Sequence, residues 1–110
     1  MDRLDEINKL FTDLKKDMPK EITAFANFSM VVKESNKIDK KNKSLTMISL
    51  AVYAQCDWCI AIHIKSAVEV GATKDEIIES AMLAVLMGGG PKLMYMTVVY
   101  DELEKIFASK

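Results

Sequence analysis

With 110 residues, half of them hydrophobic, the chain suffices for one domain with a real core, yet a lone copy would leave much apolar surface uncovered, so an oligomer is expected. Fifteen basic residues against sixteen acidic give a net charge of −1, which speaks against recruitment of nucleic acid or an anionic membrane by an overall field. The start, Met1-Asp2-Arg3-Leu4-Asp5-Glu6, lacks a signal-peptide core, and Gly88-Gly89-Gly90-Pro91-Lys92 interrupts the longest apolar region, Ala81 to Tyr100; a cytoplasmic chain with no membrane span is expected.

Residues Asp2 to Asp17 place Leu4, Ile7, Leu10, Phe11 and Leu14 three and four apart, the stripe of an amphipathic first helix. Pro19 separates it from a second helix, Lys20 to about Glu34, whose broad apolar face (Ile22, Phe25, Ala26, Phe28, Val31, Val32) predicts burial on two sides. Ser35 to Ser44, with Lys37, Lys40, Lys41 and Lys43, reads as a solvated loop and helix start rather than an anion site. A third helix runs from about Lys40 to Tyr53 with Leu45, Ile48 and Val52 on one face.

A fourth helix carries Cys56 and Cys59 and ends at Gly71, the expected left-handed C′ residue. Thr73 and Glu76 form a capping-box pattern that starts a fifth helix, which stops at the glycine run. After Pro91 a sixth helix, with Leu93, Met94, Met96, Val98, Val99, Leu103, Ile106 and Phe107, extends to about Ala108. The eight methionines read as core and subunit-interface filler. No sustained alternation marks a strand, so the prediction is a single all-α domain of six helices over residues 1–110.

Both cysteines and the one histidine fall within Cys56-Asp57-Trp58-Cys59-Ile60-Ala61-Ile62-His63. On a helix Cys59 and His63 are i and i+4, one above the other, with Cys56 a turn earlier. Two thiols able to close a disulfide beside an imidazole that moves protons point to redox chemistry at sulfur, and a Cys-x-x-Cys pair in a reducing cytosol is more often catalytic or metal-binding than a permanent staple. A structural zinc site would want ligands from a second Cys or His cluster, which the sequence lacks, so no metal and no cofactor is expected. The order of the cysteines stays open: a helix N-terminus would favour a nucleophilic thiolate at Cys56, whereas His63 can take a proton from Cys59.

Cys56-x-x-Cys59-x-x-x-His63, then Gly71-Ala72-Thr73-Lys74-Asp75-Glu76-Ile77, then Met87-Gly88-Gly89-Gly90-Pro91, resembles the carboxymuconolactone decarboxylase family, in particular its alkylhydroperoxidase D-like branch. The resemblance covers roughly residues 38–100 and implies an all-helical subunit in a homo-trimer or homo-hexamer. It also implies a peroxiredoxin-type activity. Cys59 would be the peroxide-reducing cysteine, Cys56 its proton donor and disulfide partner, and His63 the relay; the substrate would be a hydroperoxide or disulfide, and an external dithiol reductase partner would reset the pair. Two positions depart from that branch: its glutamate twelve residues before the first cysteine is Ser44 here, and its histidine before the second cysteine is Trp58. Glu34 or Asp57 could supply the missing carboxylate, although Asp57 reads first as a solvated helix-start acid. Trp58 reads as a packing residue that also could shape a substrate pocket. The alternatives are a decarboxylase of a lactone-like acid and a non-enzymatic, redox-sensing subunit.

Overall fold

Each helix is set up by its own end groups. The computed structural model describes residues 1–107, in the order α1 (Arg3–Asp17), α2 (Pro19–Glu34), α3 (Lys40–Tyr53), α4 (Asp57–Glu69), α5 (Lys74–Gly88), α6 (Gly90–Met94) and α7 (Met96–Phe107). No strand occurs among the described residues. The chain divides into two compact units, Met1–Asp39 and a second from Lys40 onward.

In the first unit, Asp2 caps α1 by accepting from the Asp5 N–H at 2.9 Å, which satisfies one of the orphan donors of the first turn. Helix α1 closes at Met18, whose N–H donates to the Leu14 carbonyl at 2.7 Å. Helix α2 begins at Pro19, one residue before the expected start, because a proline at N1 lacks only an N–H that would be unpaired there anyway. The two helices are in contact. The expectation that α2 is buried on two sides is corrected: no residue of α1 or α2 is buried, and Phe25, Phe28, Val31 and Val32 are all exposed.

The second unit holds the core. Helix α3 packs against both α4 and α5, and α7 lies on α4 and α5. Ile48, Val52, Ile60, Ile64, Ile77, Val99 and Leu103 are its largest fully buried side chains, drawn from these four helices. Burying one such side chain stabilises the fold by about 1.5–3 kcal/mol. The capping box of α5 forms as expected, with Thr73 Oγ1 accepting from the Glu76 N–H at 3.1 Å and Glu76 Oε1 accepting from the Thr73 N–H at 2.9 Å.

Two expectations change. The sixth helix is two segments, α6 and α7, divided at Tyr95, and its expected end at Ala108 lies outside the described residues. Of the eight methionines only Met96 is buried, so core filling is not what the others do.

Candidate active site

The site grows out of the junction between α3 and α4. At the end of α3 the Gln55 N–H donates to the Val52 carbonyl at 3.0 Å and the Cys56 N–H to the Ala51 carbonyl at 3.2 Å. This pair of bonds is a Schellman motif, which requires a left-handed residue at C′, and Gln55 takes that place with φ +58°. Among the described residues it is the one non-glycine with positive φ. The same motif closes α4, where the Gly71 N–H reaches Val68 and the Ala72 N–H reaches Ala67, at 3.1 and 2.9 Å; there the C′ residue is Gly71, as expected, with φ +91°.

Cys56 closes one helix and opens the next. Its backbone is extended, its carbonyl accepts from the Ile60 N–H at 3.0 Å, and its Sγ accepts from the Cys59 N–H at 3.2 Å as the N-cap of α4. No residue is spare between the helices, so the sulfur is held at the positive end of α4. Cys56 and Cys59 are joined as a disulfide across the first turn, with a Cα–Cα separation of 5.2 Å, well inside the range that a disulfide tolerates.

The other predicted residues stand on α2, α3 and α4. His63 stands one turn beyond Cys59 on the same face of α4, half-buried beside the buried stripe of Ile60, Ile64 and Ala67. Asp57 is the first residue of α4 and is half-buried, whereas Trp58 keeps 50% of its surface in solvent. Ser44 lies on α3 one turn before buried Ile48, on the core side of that helix and itself half-buried. Glu34 ends α2 and is exposed. The structure thus joins Cys56 to Cys59 and sets His63 one turn beyond Cys59 on the same helix, while Ser44, at the position of the family glutamate, carries a hydroxyl rather than a carboxylate. A groove of about 400 Å³ is lined by Asn42, Thr46, Ser49, Glu76 and Ser80 among others, and by none of Cys56, Cys59 or His63.

Three residues escaped the sequence reading. Glu102 is only 4% exposed, its Oε2 accepting from Lys105 Nζ at 2.9 Å, a buried carboxylate on the helix that packs against α4. Its place in the α7 period, beside Val99, Leu103 and Ile106, was the available signal. Lys92 donates to Gln55 Oε1 at 2.7 Å and lies over the Tyr53 ring, 4.6 Å from its centroid. Nothing local in the sequence links residues 55 and 92. Away from the cysteines, Glu76 is held below its usual pKa, first by the hydrogen bond from Lys41 and then by the Thr73 N–H, and the Lys41–Glu76 ion pair measures 2.7 Å.

The comparisons with known proteins agree with one another. An uncharacterized protein of Cupriavidus necator is 32% identical over 93 residues, covering 84% of this chain and 82% of the relative. The uncharacterized protein 4 of the cox locus of Paracoccus denitrificans is 34% identical over 83 residues, covering 76% of this chain and 75% of its own. Among solved structures, the apo form of a carboxymuconolactone decarboxylase family protein from Legionella pneumophila superposes with a TM-score of 0.85 at 35% identity, over 92% of this chain and 90% of that one. A family protein from Thermotoga maritima, for which an antioxidative role has been suggested, shares the fold with a TM-score of 0.83 at 24% identity, over 94% of this chain and 88% of its own. The family match itself spans residues 19–102, and so takes in α2, which the resemblance read from the motifs left out. This chain belongs to the carboxymuconolactone decarboxylase family.

Proposed function

We propose that the protein is a thiol-dependent oxidoreductase of the alkylhydroperoxidase D-like branch, reducing hydroperoxides through the Cys56–Cys59 pair. The observation that carries this reading is the disulfide across the first turn of α4 with His63 on the same helix face. In the proposed cycle His63 takes the proton of Cys59, and the Cys59 thiolate attacks the outer oxygen of the hydroperoxide. The O–O bond breaks and the alkoxide leaves as the alcohol with the proton that His63 returns, so that Cys59 carries a sulfenic acid. The N-cap position favours the thiolate of Cys56, whose proton passes to His63; the thiolate attacks the sulfenic sulfur, the S–O bond breaks, and the hydroxide leaves with that proton as water as the disulfide closes. An external dithiol then returns two electrons and two protons by disulfide exchange. Such a cycle belongs in a reducing compartment such as the cytoplasm. No helix among the described residues is long and apolar enough to cross a membrane.

The test is mass spectrometry of the reduced protein after stoichiometric hydrogen peroxide, then an organic hydroperoxide. The expected result is loss of two hydrogens in wild type and a trapped sulfenic acid on Cys59 in Cys56→Ser. Peroxide consumption that continues unchanged in Cys59→Ser would remove Cys59 from the mechanism. Turnover of a lactone-like acid that survives loss of both thiols would instead support the decarboxylase reading.

The same reading includes assembly with further copies of this chain, as a trimer or hexamer. Its support is the apolar surface one copy leaves open: Phe25, Phe28 and Val31 on α2, and Leu83, Leu86 and Met87 on α5. Sedimentation at graded concentrations tests it, and a monomer at micromolar concentration would overturn it.

A further inference from the structure

The α3 and α4 termini use one motif with two different C′ residues. Gly71 adopts φ +91° and presents no side chain, the arrangement that backbone energetics favour; Gln55 adopts φ +58° despite its Cβ. The side chain at Gln55 is engaged: its Oε1 accepts from Lys92 Nζ at 2.7 Å, across a sequence separation of 37. Lys92 is half-buried, and its ammonium also sits over the Tyr53 ring, so two residues of the α3 end hold it. Gly88 leaves room for this reach: a Cβ there would lie 2.5 Å from Lys92 Cγ, 2.8 Å from Lys92 Cε and 3.1 Å from Tyr53 Cε1. The residue so clamped is the one immediately before Cys56, whose sulfur depends on that backbone geometry to reach the Cys59 N–H.

We infer that Lys92 is a positioning residue for Cys56, acting through Gln55: it locks the left-handed turn that sets the Cys56 sulfur on the N-terminus of α4. The inference rests on the thiol–disulfide reading of the site. Without the clamp, Gln55 relaxes toward ordinary backbone angles, the sulfur leaves its N-cap place for part of the time, and the reduced Cys56 loses help in holding a thiolate.

The experiment is the pH profile of Cys56 alkylation by iodoacetamide in the reduced full-length protein, located by tandem mass spectrometry, which needs no peroxide. It therefore reports on Lys92 even if the peroxidase reading fails. The variants are Lys92→Met, which keeps the stem over Gly88 and Tyr53, Lys92→Arg, which can still donate to Gln55 and stack on Tyr53, and Lys92→Met combined with Gln55→Gly, whose glycine keeps the left-handed turn without the amide. Asp57 and His63 on α4, and Asp101, Glu102 and Lys105 on α7, are unchanged in every variant, and since Lys92→Met also removes a cation, the double variant with Gln55→Gly separates that charge from the clamp. In Lys92→Met the profile midpoint moves upward and alkylation at neutral pH slows about threefold, while Lys92→Arg keeps the wild-type profile, and adding Gln55→Gly to Lys92→Met restores it because glycine holds the left-handed turn unaided. A lowered melting temperature with an unmoved midpoint in Lys92→Met would make Lys92 merely structural and overturn the assignment. A midpoint that stays raised in the Lys92→Met, Gln55→Gly double variant would overturn it, and should Lys92→Met fail to fold, a wild-type profile in Gln55→Leu, which keeps the Cβ and cannot accept from Lys92, would overturn it equally.

Discussion

Helices α1 and α2 and helices α3, α4, α5 and α7 have similar local ingredients and different fates. The first two carry an N-cap at Asp2, a proline at N1 and apolar residues at helical spacing, yet bury nothing; the other four bury thirteen hydrophobic residues, and the loop residue Ala72 makes a fourteenth. Apart from Met96, Glu102 and Leu103, the buried positions of the second unit are small or β-branched, with Ala51, Ala61, Ala67, Ala81 and Ala84 beside Ile48, Ile60, Ile64 and Ile77, which lets helices approach closely and interlock. In α2 the large side chains Phe25 and Phe28 stand 60% and 66% exposed. Helical periodicity therefore establishes that a face exists, and the complementarity of another surface decides whether it becomes a core.

The difference can be broken most forcefully at Ile64, which has no exposed surface. Ile64→Ala is expected to lower stability by about 2–5 kcal/mol, through lost transfer energy and the cavity left behind. Chemical denaturation would read it, and a loss under about 1 kcal/mol would mean that the α4 stripe is not the core it looks like. Next in size, Thr73→Ala removes half of the capping box and should lower stability by about 1 kcal/mol, with faster amide exchange confined to the first turn of α5. Uniformly faster exchange along α5 would show that the box holds the whole helix rather than its end.

Phe28→Ala sharpens the contrast. In dilute solution its effect on unfolding should stay within about 0.5 kcal/mol, as for other exposed positions. At concentrations where copies associate, the same change should weaken assembly, measured by sedimentation. A large loss of stability at every concentration would count α2 as part of the core after all.

The smallest effect concerns pH. Glu76 has a depressed pKa in the folded chain, mainly through the Lys41 hydrogen bond, so the folded state binds the proton less readily than the unfolded one. Its contribution is therefore present above the ordinary glutamate value of about 4.3 and is lost as pH falls through the lower folded value. Because the group is open to solvent the loss should be slight, and Glu76→Gln should remove this part of the acid limb of a melting-temperature profile. An identical acid limb in Glu76→Gln would show that the Lys41–Glu76 pair adds nothing.

Much was legible in the sequence wherever the cause is local. The Thr73 and Gly71 signals each act within about five residues, and the structure places the corresponding helix ends where those residues stand. The i and i+4 relation of Cys59 and His63 follows from helical geometry alone, and the all-α class from the absence of alternation. The division of the last helix at Tyr95 was not legible, because Leu93, Met94 and Met96 fit one continuous apolar period as well as two short ones.

By itself, then, the sequence determined the helices, the capping box at Thr73, the C′ glycine at Gly71 and the place of Cys59 and His63 on one face of α4, since each depends on contacts within a turn or two. Tertiary structure alone decided that the apolar face of α2 stays uncovered, that Glu102 is buried, and that a glutamine in the position of a C′ glycine is held by Lys92 from 37 residues away. Burial and long-range clamps depend on which surfaces the packed helices bring together. No window of the chain contains both partners.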